Sequence, residues 1–366
     1  RIAMVATNLK MNGISSVIMN YIQYINLEKF DITLIVGKGI APKYGYECEK
    51  KGVKIIELPP RKEKPIAFYC ALYKVLNLGN YDIVHVHGSN ASIGMELLLA
   101  KLSNIKFRIA HSHNTTSTNM KINNLMKPIF NHTYTSGFAC CDLAGKWLFD
   151  DKKFTIIPNG VEIEKFKFSK KIREIQRNQL HINNKFVVGH VGRFNYQKNH
   201  VFILKVFKEL IKYRPNVVLL LIGNGPNFEK VKRDIYKYKL EDNIILFGET
   251  NKVQELYMAM DCFLFPSRFE GFPVTLLEAQ ISGLPAVISD VITKDIQLSD
   301  NLVFMSLKNT PQEWAKKLAN LMNSPVDRLN FYQEYQFRIN KFRINDDVRI
   351  LENKYLEMVG DEFKWE

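Results

Sequence analysis

Cysteine is scarce in this chain. There are five in 366 residues, an odd number, with Cys140 and Cys141 adjacent and no Cys-x-x-Cys pair. That excludes a disulfide framework and the usual zinc spacings, and it fits a reducing compartment. Long apolar runs are missing too. The longest, such as Val217–Ile222, fall far short of the roughly 18 residues that a bilayer-spanning helix needs. The opening residues 1–6 read as a strand, not as a basic and then apolar leader. G-x-G-x-x-G, Walker A and G-x-S-x-G are absent, which excludes the dinucleotide fingerprint, the P-loop and the nucleophile elbow. Without Asp-x-Asp there is no obvious seat for a divalent cation carrying a diphosphate. No helix-turn-helix, zinc-finger or RNA-recognition signature is present, so only charge speaks for nucleic acid, and none is expected as a partner.

What is present is ordinary for a folded protein: 46% hydrophobic residues, 24% charged, 19 Gly and 13 Pro. The length predicts roughly two domains. The net charge is +14, and it is unevenly spread along the chain: residues 1–185 hold 27 Lys and Arg against 14 Asp and Glu, whereas 186–366 hold 24 against 23. A basic first half fits an anionic partner such as a membrane surface or a phosphorylated substrate, or simply a solubilising surface.

Short β-rich runs alternate with amphipathic stretches throughout. Runs at 2–6, 32–36, 54–58, 83–87, 107–110, 137–141 and 155–157 are mostly apolar along their length rather than alternating, as strands buried on both faces are. Helical patterns fall between several of them, which predicts βαβ units and a parallel sheet. The pattern pauses at Pro158-Asn159-Gly160, a turn signal. Residues 165–185 follow with seven Lys and Arg, one Glu and no strand pattern. A second alternating series starts at 186. The expected fold class is α/β, with two doubly wound Rossmann-like domains: residues 1–165, a linker at 166–185, and residues 186–345.

Open parallel sheets bind ligands beyond the carboxyl ends of their strands. The residues that could carry chemistry sit there. Pro266-Ser267-Arg268-Phe269-Glu270-Gly271-Phe272-Pro273-Val274-Thr275 follows one strand and opens a helix. Gly271 lets the backbone approach a ligand, Pro273 suits a helix start, and the free N–H groups of that turn favour a phosphate. Glu270 is placed to accept hydrogen bonds from sugar hydroxyls, and Glu278 is placed to take a ribose diol. The competing reading is an acidic cap and one half-buried glutamate. Arg193 and Lys198 share the loop after the first strand of the second domain, where two cations could neutralise a diphosphate or merely be solvated. The loop 9–15 contains Gly13, which permits close approach. Gly223 and Gly225 follow another strand, as ligand contacts or as a turn. His85 and His87 end one strand, His111 and His113 another. They fit polar strand ends, and His113 equally fits a substrate contact. No carboxylate or Cys completes a metal site, so no metal is expected.

These residues, taken in order, resemble a known family. Glu270-Gly271-Phe272-Pro273 with Glu278-Ala279 is similar to the E-x7-E signature of retaining GT-B glycosyltransferases. Gly192-Arg193 with Lys198, Gly223-Asn224-Gly225-Pro226, Pro158-Asn159-Gly160-Val161 and residues 283–290 resemble family 4, in its bacterial capsule and exopolysaccharide branch. One departure stands out: the family's Gly-Gly is Asn12-Gly13 here. The resemblance implies a GT-B fold with the two domains facing across a cleft and a final helix, about 346–366, packing back onto an acceptor-binding first domain. It implies a donor domain in which Arg193 and Lys198 bind the diphosphate and Glu278 the ribose. Glu270 and the backbone of Gly271, Phe272, Pro273 and Val274, with Thr275, would hold the transferred sugar. Gly13 would lie under the diphosphate, and His113 would contact the sugar beside the reacting centre. The implied reaction is retaining, metal-free and without cofactor. It would move a hexose or N-acetylhexosamine from a nucleotide sugar, by default a UDP-sugar, to a lipid-linked or membrane-proximal glycan. The expected location is cytoplasmic, peripheral at the inner face of the plasma membrane, with anionic lipid met by the basic first domain. A non-catalytic partner subunit and a UDP-sugar epimerase are the competing functions.

Overall fold

The computed structural model describes residues 1–117, 119–323 and 326–360. They divide into two compact units, residues 1–160 with 342–360 and residues 161–341. The first holds seven strands: β1 Ile2–Ala6, β2 Ile32–Gly37, β3 Lys54–Leu58, β4 Ile83–Gly88, β5 Phe107–Ser112, β6 Ser136–Ala139 and β7 Thr155–Ile156, in the order β3-β2-β1-β4-β5-β6-β7. The second holds six: β8 Phe186–Val191, β9 Val217–Ile222, β10 Ile244–Gly248, β11 Cys262–Phe265, β12 Ala286–Ser289 and β13 Leu302–Met305, in the order β10-β9-β8-β11-β12-β13. Each pairing between these strands is parallel. Central strands such as β1, β4 and β9 are buried at every residue, as sheets covered by helices on both faces require.

In each unit the strand order reverses once, between β1 and β4 and between β8 and β11. Ligands bind doubly wound sheets at that switch point. The loops that flank it are 8–12 and 88–92 in the first unit, and 192–199 and 266–273 in the second.

Residues 166–185 are not a linker. Lys170–Gln179 is a helix of the second unit, with Gln176 and Arg177 buried. It docks through charge. Arg173 pairs with Asp261 and donates to Met260 O at 2.8 Å, and Arg177 reaches Asp261 at 3.1 Å and Ala259 O at 2.9 Å. Asp261 also accepts from the Val187 amide at 2.8 Å, so one carboxylate ties this helix to β8 and β11. The unit boundary therefore falls at residue 160, and the charge divides differently from the linear halves. Residues 1–160 with 342–366 hold 24 Lys and Arg against 18 Asp and Glu, and residues 161–341 hold 27 against 19: +6 and +8.

The helix Ile344–Gly360 returns to the first unit. Tyr355 on it lies 2.6 Å from His85 Nδ1, and Glu352 accepts from the Asn26 amide at 2.7 Å. The helix closes on Gly160, where an added Cβ would stand 2.3 Å from Asp347 Oδ2 and 2.9 Å from Ile344 Cα. Residues 361–366, the end of the expected final helix, lie outside the described residues.

Candidate functional site

In the second unit the two switch-point loops are stitched together. Asn199, in the left-handed region at φ 58°, donates to Pro266 O at 3.1 Å and accepts from Arg268 at 3.0 Å. The Arg268 amide donates to Gln197 O at 2.8 Å. This brings Lys198 to Glu270: Nζ lies 2.7 Å from Oε1, and both side chains are largely buried. Gln197 Nε2 donates to the other carboxylate oxygen at 2.9 Å. The Lys198 ammonium also sits 4.4 Å from the Phe265 ring centroid, a cation–π contact. Arg193 differs. It is exposed and unpaired among the described residues.

Gly223 and Gly225 act on Arg193 from behind. At Gly223, φ is 128° and a Cβ would meet Gly192 O at 2.3 Å; at Gly225 a Cβ would meet Phe194 O at 2.6 Å. The Phe194 amide donates to Asn224 O at 2.9 Å. The two glycines let the 223–225 turn press against the 192–194 loop and fix the base of Arg193.

The helix Val274–Ile281 begins beside Glu270. Pro273 is its N-cap, and no side chain caps it. A helix start without a side-chain cap favours an anion. Phe272 is buried, and the Thr275 hydroxyl is buried without a partner among the described residues. Glu278, half-buried on the same helix, accepts from Tyr257 at 2.9 Å. Burial lifts its carboxyl to about 7, against the pull of that hydrogen bond.

In the first unit Gly13 opens the helix Gly13–Tyr24, and a Cβ there would meet nothing within 4 Å. Asn12 is its N-cap: Oδ1 accepts from Ser15 N at 3.1 Å while Nδ2 donates to Asn8 Oδ1 and Lys10 O. Capping accounts for Asn where the family pattern has Gly. The four histidines converge at the ends of β4 and β5. His85 Nε2 lies 3.0 Å from His111 Nδ1, and His87 Nδ1 lies 2.9 Å from His113 Nε2. The two pairs stack, with ring centroids 4.1 Å apart for His85 and His87 and 4.2 Å for His111 and His113. Burial holds all four neutral, with His85 and His113 lowered to about 3 and His87 and His111 well below their usual range. Ligand nitrogens of His85, His87 and His111 lie within 4.8 Å of one another, close enough for a metal. The N–H···N bonds already occupy one nitrogen of each ring.

Residues 11–165 match the Glycosyltransferase Family 4 model, and residues 171–337 match the model for glycosyl transferases group 1. The chain belongs to the GT-B glycosyltransferases. Among relatives, it is 26% identical to the UDP-Gal:alpha-D-GlcNAc-diphosphoundecaprenol alpha-1,3-galactosyltransferase of Escherichia coli, over 95% of each chain. It is 28% identical to the capsular polysaccharide biosynthesis glycosyltransferase CapH of Staphylococcus aureus, over 88% of this chain and 90% of that one. Among solved structures, Anabaena HepE in complex with UDP and glucose superposes with a TM-score of 0.81 at 15% identity, over 97% of this chain and 98% of that one.

Within the second unit of this GT-B glycosyltransferase, the candidate residues are distant in sequence. In the second unit Arg193, Lys198, Glu270, the 271–275 turn and Glu278 share one switch-point region. Gly13 and His113 belong to the first unit. Sequence reasoning missed Gln197, Asn199 and Tyr257. Gln197 lies inside the Arg193–Lys198 motif and Asn199 directly after it, but both act as braces, and nothing in the 73-residue separation of Gln197 from Glu270 announces their contact. Tyr257 is one apolar residue of an apolar helix, and only its hydroxyl marks it.

Proposed function

We propose that this glycosyltransferase moves a sugar from a UDP-sugar to a lipid-linked glycan, with retention and without a metal, in the synthesis of a bacterial capsule or exopolysaccharide. The observation that carries this reading is the Lys198–Glu270 pair beside the helix start at Val274. A cation, a carboxylate and free helix N–H groups meet there, which suits a nucleotide diphosphate joined to a polyhydroxyl sugar. The printed substrates of the E. coli relative, UDP-Gal and a diphosphoundecaprenol-linked sugar, support the donor and acceptor classes.

In this reading the diphosphate takes over Lys198 from Glu270, and Arg193 turns onto it. Glu270, released, accepts from the sugar hydroxyls. As the glycosidic bond breaks, charge builds on the leaving diphosphate. Lys198, Arg193 and the helix start stabilise it, the role a divalent ion plays elsewhere. Glu278 takes the ribose diol. His113 stays neutral, its Nε2 engaged by His87, and serves the sugar as a hydrogen-bonding group.

Peripheral membrane attachment is part of the proposal. No helix among the described residues is long and apolar enough to span a bilayer. The helix Met120–Asn131 exposes Met120, Ile122 and Leu125 beside Lys121, which is the composition of an interfacial helix.

A panel of nucleotide sugars tested for thermal stabilisation examines the donor. Selective stabilisation by one UDP-sugar is expected, and stabilisation by no nucleotide sugar overturns the reading. The anomeric coupling constant of the product then tests retention. Activity in EDTA tests metal independence, and a complete loss restored by a divalent ion removes it.

A further inference from the structure

Glu278 does not stand alone. Tyr257 lies on the helix Val253–Ala259 and is fully buried. Its ring packs edge-on against Phe263 and Phe166, at centroid distances of 6.0 and 6.2 Å. Its backbone carbonyl accepts from Arg328 at 3.0 Å. Its hydroxyl lies 2.9 Å from Glu278 Oε2 and 3.0 Å from Thr275 O. A phenol held this firmly at both ends fixes the carboxylate that it touches.

We propose that Tyr257 is a positioning residue for the donor, holding Glu278 in the orientation and the ionised form that accept a nucleotide ribose diol. The inference rests on the reading of Glu278 as the ribose-binding carboxylate. Two ribose hydroxyls need two acceptor oxygens, and a protonated carboxyl turns one of them into a donor. Burial already lifts Glu278 to about 7, so at neutral pH its charge is finely balanced. The Tyr257 hydrogen bond favours the charged form. Other charged groups on the packed elements are engaged elsewhere. On the helix Ile163–Phe166, Glu164 pairs with Lys167 and Lys165 with Glu162. On the helix Phe331–Asn340, Arg338 donates to Leu298 O and Glu334 lies in the first turn. None of these shifts Glu278, whose carboxyl responds to burial and to Tyr257.

The test is nucleotide affinity against pH. UDP, ADP and GDP all carry the ribose, so the tightest binder is carried forward whichever base it bears. Its Kd is measured by calorimetry from pH 6 to 9 for the wild type, Tyr257→Phe and Glu278→Gln. Loss of the phenol, whose hydrogen bond favours the charged carboxylate, is expected to weaken nucleotide binding about tenfold below pH 7. The deficit should shrink toward unity by pH 9, where both carboxylates are ionised. A side chain that served packing alone would weaken binding by one factor at every pH, and that result overturns the inference. If Tyr257→Phe does not fold, 3-fluorotyrosine at 257 keeps the packing and strengthens the donor. The affinity curve should then move to lower pH, and an unmoved curve overturns the inference. Glu278→Gln separates the two readings. Unchanged Kd in that variant removes the ribose role itself. Weakened Kd there, with Tyr257→Phe following the wild type at every pH, removes Tyr257 alone.

Discussion

At the residue scale the site is built from pairs that hold each other while no substrate is present. Lys198 and Glu270 are both largely buried at 2.7 Å, so removing one strands the other. Replacing Lys198 by Ala should lower kcat/KM by roughly 10²–10³, the cost of losing one stabiliser of developing negative charge. It should also weaken nucleoside diphosphate binding, while far-UV circular dichroism stays unchanged. Arg193→Ala should cost less in stability, because Arg193 is exposed and unpaired among the described residues. It should still slow turnover. Wild-type kcat/KM in both variants would remove the diphosphate role. These residues were legible in the sequence because Gly, Pro, Glu and Lys stand out after a strand. Their braces were not. Asn199 and Gln197 matter through contacts with Pro266 and Glu270, which only the folded sheet brings near. Gly223 and Gly225 were legible as a strand-following turn, but their geometry turned out to be a close approach to the Arg193 loop.

At the scale of elements, nearly all the strands were legible, because strands buried on both faces leave unbroken apolar runs. Two elements were missed. β13, Leu302–Met305, is a short apolar run of four residues at the sheet edge, half-buried, and no strand followed it to complete an alternation. The helix Lys170–Gln179 has only two apolar residues, Ile172 and Ile175, and the residues it buries are Gln176 and Arg177, so apolar periodicity does not mark its buried face. It is held by ion pairs, and this gives a test. Arg177→Ala leaves Asp261 short of one partner in a largely buried cluster. Breaking such a pair typically costs about 3–5 kcal/mol, and the midpoint of thermal unfolding should drop by several degrees. An unchanged midpoint would show that the helix docks without it. The final helix supplies a second test. Asp347 is buried, accepts from the Gly160 amide and carries one oxygen without a partner among the described residues. Burial raises its carboxyl to about 8. A carboxyl raised in the folded state prefers its proton there. Its contribution to stability is therefore fully present at pH below about 4, the ordinary Asp range. It declines as pH rises and is gone above about 8. Asp347→Asn mimics the neutral form, so it should raise the unfolding midpoint at pH 8 by a few degrees and change it little at pH 4. A gain of equal size at both pH values would point to packing, not charge.

For the whole molecule, two α/β domains were legible from the alternation alone, and the family from ordered short motifs. Charge along the chain does not follow the two units. Cut at residue 185, the chain looks like a basic half and a neutral half. Cut at the unit boundary, it carries +6 on the first unit and +8 on the second. Each Lys or Arg near an anionic bilayer contributes about 1 kcal/mol, so neither unit is much favoured on charge. Apolar insertion decides between them. Met120, Ile122 and Leu125 are exposed on one helix of the first unit, and burying such a side chain contributes about 1.5–3 kcal/mol. Co-sedimentation with vesicles decides between the two contributions. Wild-type protein should bind anionic vesicles at low salt, bind neutral ones weakly, and lose most binding at 1 M salt, where the Debye length is about 3 Å. The double variant Ile122→Ser, Leu125→Ser keeps every charge. It should bind anionic vesicles at least tenfold more weakly and bind UDP as the wild type does. Equal vesicle binding by the double variant would return the attachment to charge alone. No binding of the wild type at low salt would leave the +14 as a solubilising surface.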